Sequence, residues 1–317
     1  MNVHFGGPDL PRRALRDLLE AHVDGVPPGG SIDWMTYYFR DVALAEALVR
    51  AHQRGVRVSV CIEGRPRHRG ANDRVIAILR RGIADGLRVE KRLLGASHLH
   101  TKLYAFSGPT PHALVGSFNP SGNEPDDAVV IADIGDQDRG HNLLVEIDDP
   151  RMRQALTTRT DVELGDAQAF FFPRWGAHPL DKRVAGLGER SSLRIAASHI
   201  RDRPFARRLA ELAKHGGKVE VLTHHTVRRT PEALVQYLRA SGVSTYRYEH
   251  PDALPMHAKF ILAEDRGRRW SSFGSYNLTL TSRWLNQELL MFSDDPQLWE
   301  ALDHRWREIM AEPWVKP

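Results

Sequence analysis

The sequence predicts an α/β protein built by internal duplication, and two observations carry that expectation. The first is a long repeat: residues 30–60 lie on residues 191–221 at a constant offset of 161, matching Arg40 and Asp41 with Arg201 and Asp202, Leu48 with Leu209, and Gly55 with Gly216. The second is the alternation of strand and helix patterns inside each copy, which calls for largely parallel sheets covered by helices. A chain of 317 residues has room for two such halves, at roughly 150 residues per domain.

The elements follow in order. In the first copy Asp41 is placed to cap a helix on which Leu44, Ala47, Leu48 and Ala51 recur at helical spacing. Gly55 stops that helix before the β-branched alternation of Val56, Val58 and Val60. In the second copy Phe205, Leu209 and Leu212 form the apolar stripe, and Gly216 and Gly217 end it ahead of Val219 and Val221. A further helix is expected around Val75 to Leu79 and around Ala233 to Leu238, each leading to a strand. The aromatic run from Phe170 to Trp175 lies in the bridge between the copies, as interdomain core or as the wall of an acyl groove. The boundary is set near 165, giving halves of residues 1–165 and 166–317.

Composition excludes several classes. With 41% hydrophobic and 26% charged residues the chain fits a soluble globular protein, and no window approaches the ~18 consecutive apolar residues of a membrane span. No apolar segment follows a basic start, so a cytoplasmic location is expected, with peripheral membrane contact left open. The lone cysteine, Cys61, sits in an apolar run and reads as a buried core thiol. A balance of 44 basic against 40 acidic residues admits an anionic partner without demanding one. Only seven of the basic residues are lysines, which makes their placement informative.

Two of those lysines share a motif. His100-Thr101-Lys102 is followed by Gly116-Ser117-Phe118-Asn119, and His257-Ala258-Lys259 by Gly274-Ser275-Tyr276-Asn277, with His-to-Gly separations of 16 and 17. On an extended segment His-x-Lys puts imidazole and ammonium on one face. The Gly-Ser-x-Asn turn adds a hydroxyl, an amide and backbone donors. Two such sets around one centre suit a phosphodiester: lysines and asparagines neutralise its oxygens, one histidine attacks phosphorus and the other protonates the leaving oxygen. No metal or other cofactor is called for by that scheme.

With these motifs the chain resembles the phospholipase D superfamily, over roughly residues 30–310. The resemblance implies a duplicated fold, two mixed or parallel sheets packed at a pseudo-twofold interface with helices outside, and a covalent phosphohistidine mechanism. The family's motif aspartate is replaced by Ser107 in the first copy and Glu264 in the second. An Asn-x-Glu segment of the family matches Asn286-Gln287-Glu288, and the equivalent position of the first copy is Asn142. The resemblance implies that Glu288 orients His100 and Asn142 orients His257, so that His100 is the nucleophile and His257 the general acid. Catalytic residues are thus expected at His100, Lys102, Asn119, His257, Lys259, Asn277 and Glu288, and substrate-binding residues at Ser117, Ser275 and Asn142.

The look of the motifs is closest to bacterial phosphatidyltransferase and cardiolipin-synthase-like members, which implies phospholipid as substrate and water or an alcohol as acceptor. A metal-independent nuclease of the same superfamily would use the same residues, although the acidic stretch from Glu124 to Asp127 speaks against a nucleic-acid partner. A degenerate member that only binds a phosphate ligand is the remaining reading. His98 and His100 together make half a zinc site, but no third ligand has a recognisable spacing. The Arg65–Arg69 loop is placed to grip an anion, and His224 and His225 end a strand near the site. Oligomeric state is not legible.

Overall fold

In a computed structural model of the chain, Asp41 accepts the Leu44 N–H at 2.7 Å and Asp202 accepts the Phe205 N–H at 3.1 Å. The same capping device therefore starts the same helix in both copies. The structure describes residues 1–91, 97–108, 111–121 and 134–317, so the acidic stretch from Glu124 to Asp127 lies outside the described residues.

The first half runs β1 (Asn2–Gly6), α1 (Ala14–Gly25), β2 (Ser31–Thr36), α2 (Val42–Gln53), β3 (Arg57–Glu63), α3 (Asp73–Gly82), β4 (Leu87–Glu90), β5 (Leu103–Ser107), β6 (His112–Gly116), β7 (Asn142–Ile147) and α4 (Arg151–Thr158). The second runs β8 (Val162–Glu163), β9 (Ala167–Phe172), α5 (Pro179–Ala185), β10 (Ser192–Ala197), α6 (Arg203–Lys214), β11 (Lys218–His224), α7 (Glu232–Ala240), β12 (Ser244–Tyr248), β13 (Phe260–Asp265), β14 (Arg268–Gly274), α8 (Leu280–Trp284), β15 (Glu288–Ser293), α9 (Pro296–Met310) and β16 (Val315–Lys316).

Among the described residues the strands form one sheet ordered β1-β7-β6-β5-β2-β3-β4 and another ordered β16-β12-β11-β10-β13-β14-β15-β9-β8. The helical crossovers leave β2, β3 and β4 parallel, and likewise β10, β11 and β12, while the remaining pairings are antiparallel. Both sheets are mixed. The second sheet takes in β8 and β9 as a hairpin across Gly165.

Period-2 alternation distributes the core. Leu103, Ala105, Leu143 and Val145 of one sheet meet Phe260, Leu262, Leu289 and Met291 of the other in a shared apolar layer. Their neighbours Tyr104, Phe106 and Leu144 turn outward under α1, α2 and α3, and Ile261, Leu290 and Phe292 turn outward under α5, α6 and α7. Two helices depart from the expected outer position. Met152, Ala155 and Leu156 of α4, and Leu298, Trp299, Leu302 and Trp306 of α9, belong to the shared layer. An Asp-Asp-Pro triplet marks the start of both helices, ending just before α4 and running into the first residue of α9, and Asp295 caps α9 through the Gln297 N–H at 2.8 Å while accepting the Met1 ammonium at 2.7 Å. The aromatic bridge is split: Phe171 and Phe172 are core, whereas Trp175 is 93% exposed. Cys61 is buried, as its apolar run implies, and burial pushes its thiol up to about 12.

Candidate active site

The His-x-Lys segments do not lie in the bodies of strands. Each occupies the extended stretch just ahead of β5 or β13, where the chain first pairs with the opposite half. Leu99 bridges to Gln287, with the His100 N–H on the Gln287 carbonyl at 2.8 Å; His141 bridges to Met256, with the His257 N–H on the His141 carbonyl at 3.0 Å. These two bridges carry each histidine to the strand that holds the other half's acceptor.

The side chains follow. His100 Nδ1 lies 2.7 Å from Glu288 Oε2, and His257 Nδ1 lies 2.9 Å from Asn142 Oδ1. A carboxylate can only accept, so Glu288 fixes the His100 proton on Nδ1 and leaves Nε2 with its lone pair. Asn142 reaches the same result through its orientation, because its Nδ2 donates to the Gln137 carbonyl at 3.1 Å and so turns Oδ1 to the ring. Glu288 is fully buried, and its oxygens also accept from Ser275 Oγ at 2.6 Å, Ser282 Oγ at 2.7 Å and Asn286 Nδ2 at 3.2 Å.

The Gly-Ser turns explain how the acceptors come so close. A Cβ on Gly116 would stand 2.1 Å from the Leu143 carbonyl oxygen, and one on Gly274, at φ +131, 2.3 Å from that of Leu289. Only glycine lets β7 and β15 pass at that distance. The following serine then donates to the acceptor residue and accepts the next backbone N–H: Ser117 to Asn142 at 3.0 Å and from Leu143 at 3.0 Å, Ser275 to Glu288 and from Leu289 at 3.0 Å. Ser117, Ser275 and Asn142 were expected to bind substrate. All three are buried and hydrogen-bonded inside the protein, and none lines the cleft. Asn142 contacts His257, and Ser117 and Ser275 contact the acceptors Asn142 and Glu288.

His100, His257, Asn119 and Asn277 line one cleft of about 600 Å³. Asn119 Oδ1 accepts the Tyr38 N–H at 3.3 Å, which leaves its NH2 as the group to offer a ligand. Lys102 and Lys259 are buried beneath, with Lys102 Nζ on the His100 carbonyl at 2.6 Å and Lys259 Nζ on the His257 carbonyl at 2.8 Å and 3.2 Å from His257 Nε2.

Burial controls the charges. It pushes His100 down to about 4 although Glu288 pulls the other way, and it pushes Lys102 down to about 7. His257 and Lys259 are held well below their ordinary values by burial, reinforced for His257 by Lys259 and for Lys259 by Lys102. Burial alone would raise the Glu288 carboxyl, but His100 and Lys102 keep it below its usual range. Two imidazoles and two lysine amines share the Glu288 carboxylate, and burial favours the uncharged form of all four.

Several lining residues carried no signal in the sequence. His199, at the repeat position of Tyr38, is held well below its ordinary value by burial, and Arg229 donates to Ser198 Oγ at 3.3 Å. Both follow the C-terminal ends of parallel strands, the side on which such sheets bind ligands, and that rule could have found them. Arg67 of the expected anion-gripping loop lines the cleft; His224 ends β11 without lining it. His98 lines it too, but among the described residues no third ligand joins His98 and His100. Potential ligand groups occur elsewhere, at His22, His112 and Glu146 and at Asp9, His141 and Glu312.

The replaced motif aspartates are remote from the histidines. Ser107 ends β5, where its Oγ accepts the Ser31 N–H at 2.8 Å, and Glu264 pairs with Arg269 at 3.3 Å. Their position ties strand ends together.

Comparison with known proteins agrees with this architecture. The family described as "Cardiolipin synthase, PLD-like domain" matches residues 29–133 and 187–310. No curated protein matches the chain. Among solved structures, phosphatidylserine synthase from Haemophilus influenzae Rd KW20 superposes with a TM-score of 0.68 at 12% identity, over 99% of this chain and 87% of that one. Polyphosphate kinase from Porphyromonas gingivalis gives 0.63 at 13%, over 98% of this chain, which spans 50% of the kinase. Yeast tyrosyl-DNA phosphodiesterase gives 0.53 at 11%, over 92% and 89%. At these identities the likeness is one of fold.

Proposed function

The chain belongs to the phospholipase D superfamily, in the family of cardiolipin synthase-like domains, and from that premise we propose that it transfers a phosphodiester through a phosphohistidine on His100. Its activity is of the phosphodiesterase or phosphatidyltransferase type. The reading is carried by one observation, the crosswise Nδ1 contacts that leave two unequal imidazoles facing one cationic cleft.

In the first step His100 Nε2 forms the N–P bond, the P–O bond to the leaving alcohol breaks, and the proton of His257 Nε2 goes to that oxygen. Lys102, Lys259, Asn119 and Asn277 stabilise the charge on the non-bridging oxygens. In the second step water or an acceptor alcohol forms the new O–P bond, its proton goes to His257, and the N–P electron pair returns to His100. His257 must be protonated before the first step. The substrate anion supplies the negative charge that the lysines lack and so raises His257 toward protonation on binding.

Phospholipid is the leading substrate because the family's description names a lipid synthase. A nucleic-acid phosphodiester is the second reading, favoured by the four arginines of the cleft wall, Arg67, Arg201, Arg228 and Arg229. The test is intact-mass spectrometry of a reaction quenched in acid-free buffer with EDTA present, across phospholipids and oligonucleotides. A phosphoryl-type adduct on His100 from one substrate class is expected. Turnover that chelation abolishes and an added divalent ion restores would overturn the scheme, since the lysines are assigned the charge that two metal ions would otherwise supply.

A further inference from the structure

Apolar side chains that fail to bury themselves are ordinary when scattered and informative when gathered. Among the described residues the large exposed hydrophobics are Trp175, Val227, Tyr237, Leu280 and Trp284, all in the C-terminal half. Leu280, Val227 and Tyr237 adjoin the catalytic cleft or a residue that lines it, and the two tryptophans continue outward from Leu280. Leu280 lines the cleft, and Trp284 stands one helical turn further along α8, on the same face. Trp175, 93% exposed, meets Trp284 at 6.4 Å between ring centroids. Val227 precedes Arg228 of the cleft wall. Tyr237 shares a second cavity, of about 550 Å³, with Arg201, Arg203 and Arg207, and Arg201 also lines the first.

The charged residues that line the second cavity have one sign, all of them arginines. Arg203 and Arg207 lie one turn apart on α6, both exposed, and neither makes an ion pair among the described residues. Their repeat counterparts in the other half are Val42 and Glu46, so duplication did not impose them.

We propose that this rim of the C-terminal half is a docking surface that seats the cleft on an anionic phospholipid interface, with Trp175 and Trp284 entering the headgroup region and Arg203 and Arg207 meeting its charge. Indole rings favour the water–lipid boundary, and juxtamembrane arginines are attracted to anionic leaflets. Aliphatic Val227 and Leu280 set the rim apart from a base-stacking platform, which would use rings alone. Among the described residues no helix is long and apolar enough to cross a membrane. The proposal rests on the phospholipid reading of the site and names how that substrate is met.

The experiment measures partition of the whole chain onto sedimenting vesicles of phosphatidylglycerol and phosphatidylcholine, against phosphatidylcholine alone and against a fluorescent dT20 strand, for the wild type, W175S/W284S and R203Q/R207Q. Turnover of soluble bis-p-nitrophenyl phosphate is read in parallel. The tryptophan pair should lose about tenfold or more of vesicle partition, as removal of two large interfacial rings requires. The arginine pair should lose binding only to the anionic vesicles, and turnover of the soluble diester should hold within about twofold in both variants. Equal vesicle partition by wild type and both variants would overturn the docking surface, as would variants that lose dT20 binding but not vesicle binding. Absence of soluble diester turnover in the wild type would refute the proposed chemistry while leaving the partition result to decide the surface.

Discussion

The two halves of this protein carry the same skeleton and different acceptors. Each offers a histidine and a lysine ahead of an inner strand, a Gly-Ser turn and a polar residue opposite the partner's ring, yet one acceptor is Glu288 and the other Asn142. A carboxylate stabilises the positive charge that an attacking imidazole gains; an amide leaves its imidazole readier to give a proton away. Duplication supplies two equal groups, and a difference at one position gives them unequal acceptors. The exposed rim shows the same lesson on the surface, where Arg203 and Arg207 face solvent at positions that hold Val42 and Glu46 in the other half.

The largest effect should come from exchanging the halves' histidines for alanine. With a p-nitrophenyl phosphodiester, whose leaving group needs no proton, His100→Ala should lose on the order of 10⁴-fold or more and form no phosphoenzyme. His257→Ala should still form it, within about 10²-fold of the wild-type rate. The reverse pattern would exchange the two roles.

Next in size are the acceptors. Glu288→Gln should lower kcat by about 10²-fold or more with KM little changed, because the residue acts through His100. Asn142→Asp places a carboxylate beside a ring that burial holds well below its ordinary value, so the alkaline limb of the kcat profile should move up by about one unit or more. An unmoved limb would remove His257 from the acid role.

Smaller, and of opposite sign for stability, is Lys102→Met. Between the ordinary lysine value of 10.5 and the folded value of about 7, the unfolded chain binds a proton that the folded chain does not, so stability falls as pH drops through that window. The variant should lose activity, gain about 1–4 kcal/mol at neutral pH and flatten this dependence in thermal melts across the window. His100 has the same sign lower down, with stability lost from its ordinary 6.5 through about 4, and the variant should keep that limb. The smallest effect is at Ser107→Asp. Since Ser107 ties β5 to β2 at the strand end, restoring the aspartate should change kcat/KM by less than about twofold, and a large gain would bring that position into the chemistry.

Sequence alone determined the duplicated α/β plan, the capping aspartate Asp41 with Asp202 as its aligned counterpart, and the two motif sets, since each is a local pattern of spacing or periodicity. The crosswise acceptors were legible only through the family resemblance, and His199, Arg229 and Ser282 were not read at all. The inner places of α4 and α9 and the buried contacts of Ser117 with Asn142 and of Ser275 with Glu288 likewise waited on the fold. His100 meets Glu288 across 188 residues and His257 meets Asn142 across 115, and no local pattern records such a contact. Those meetings arise only when two twisted sheets bury their inner faces against each other, because that packing, and not the order of residues, decides which polar groups share the same buried space.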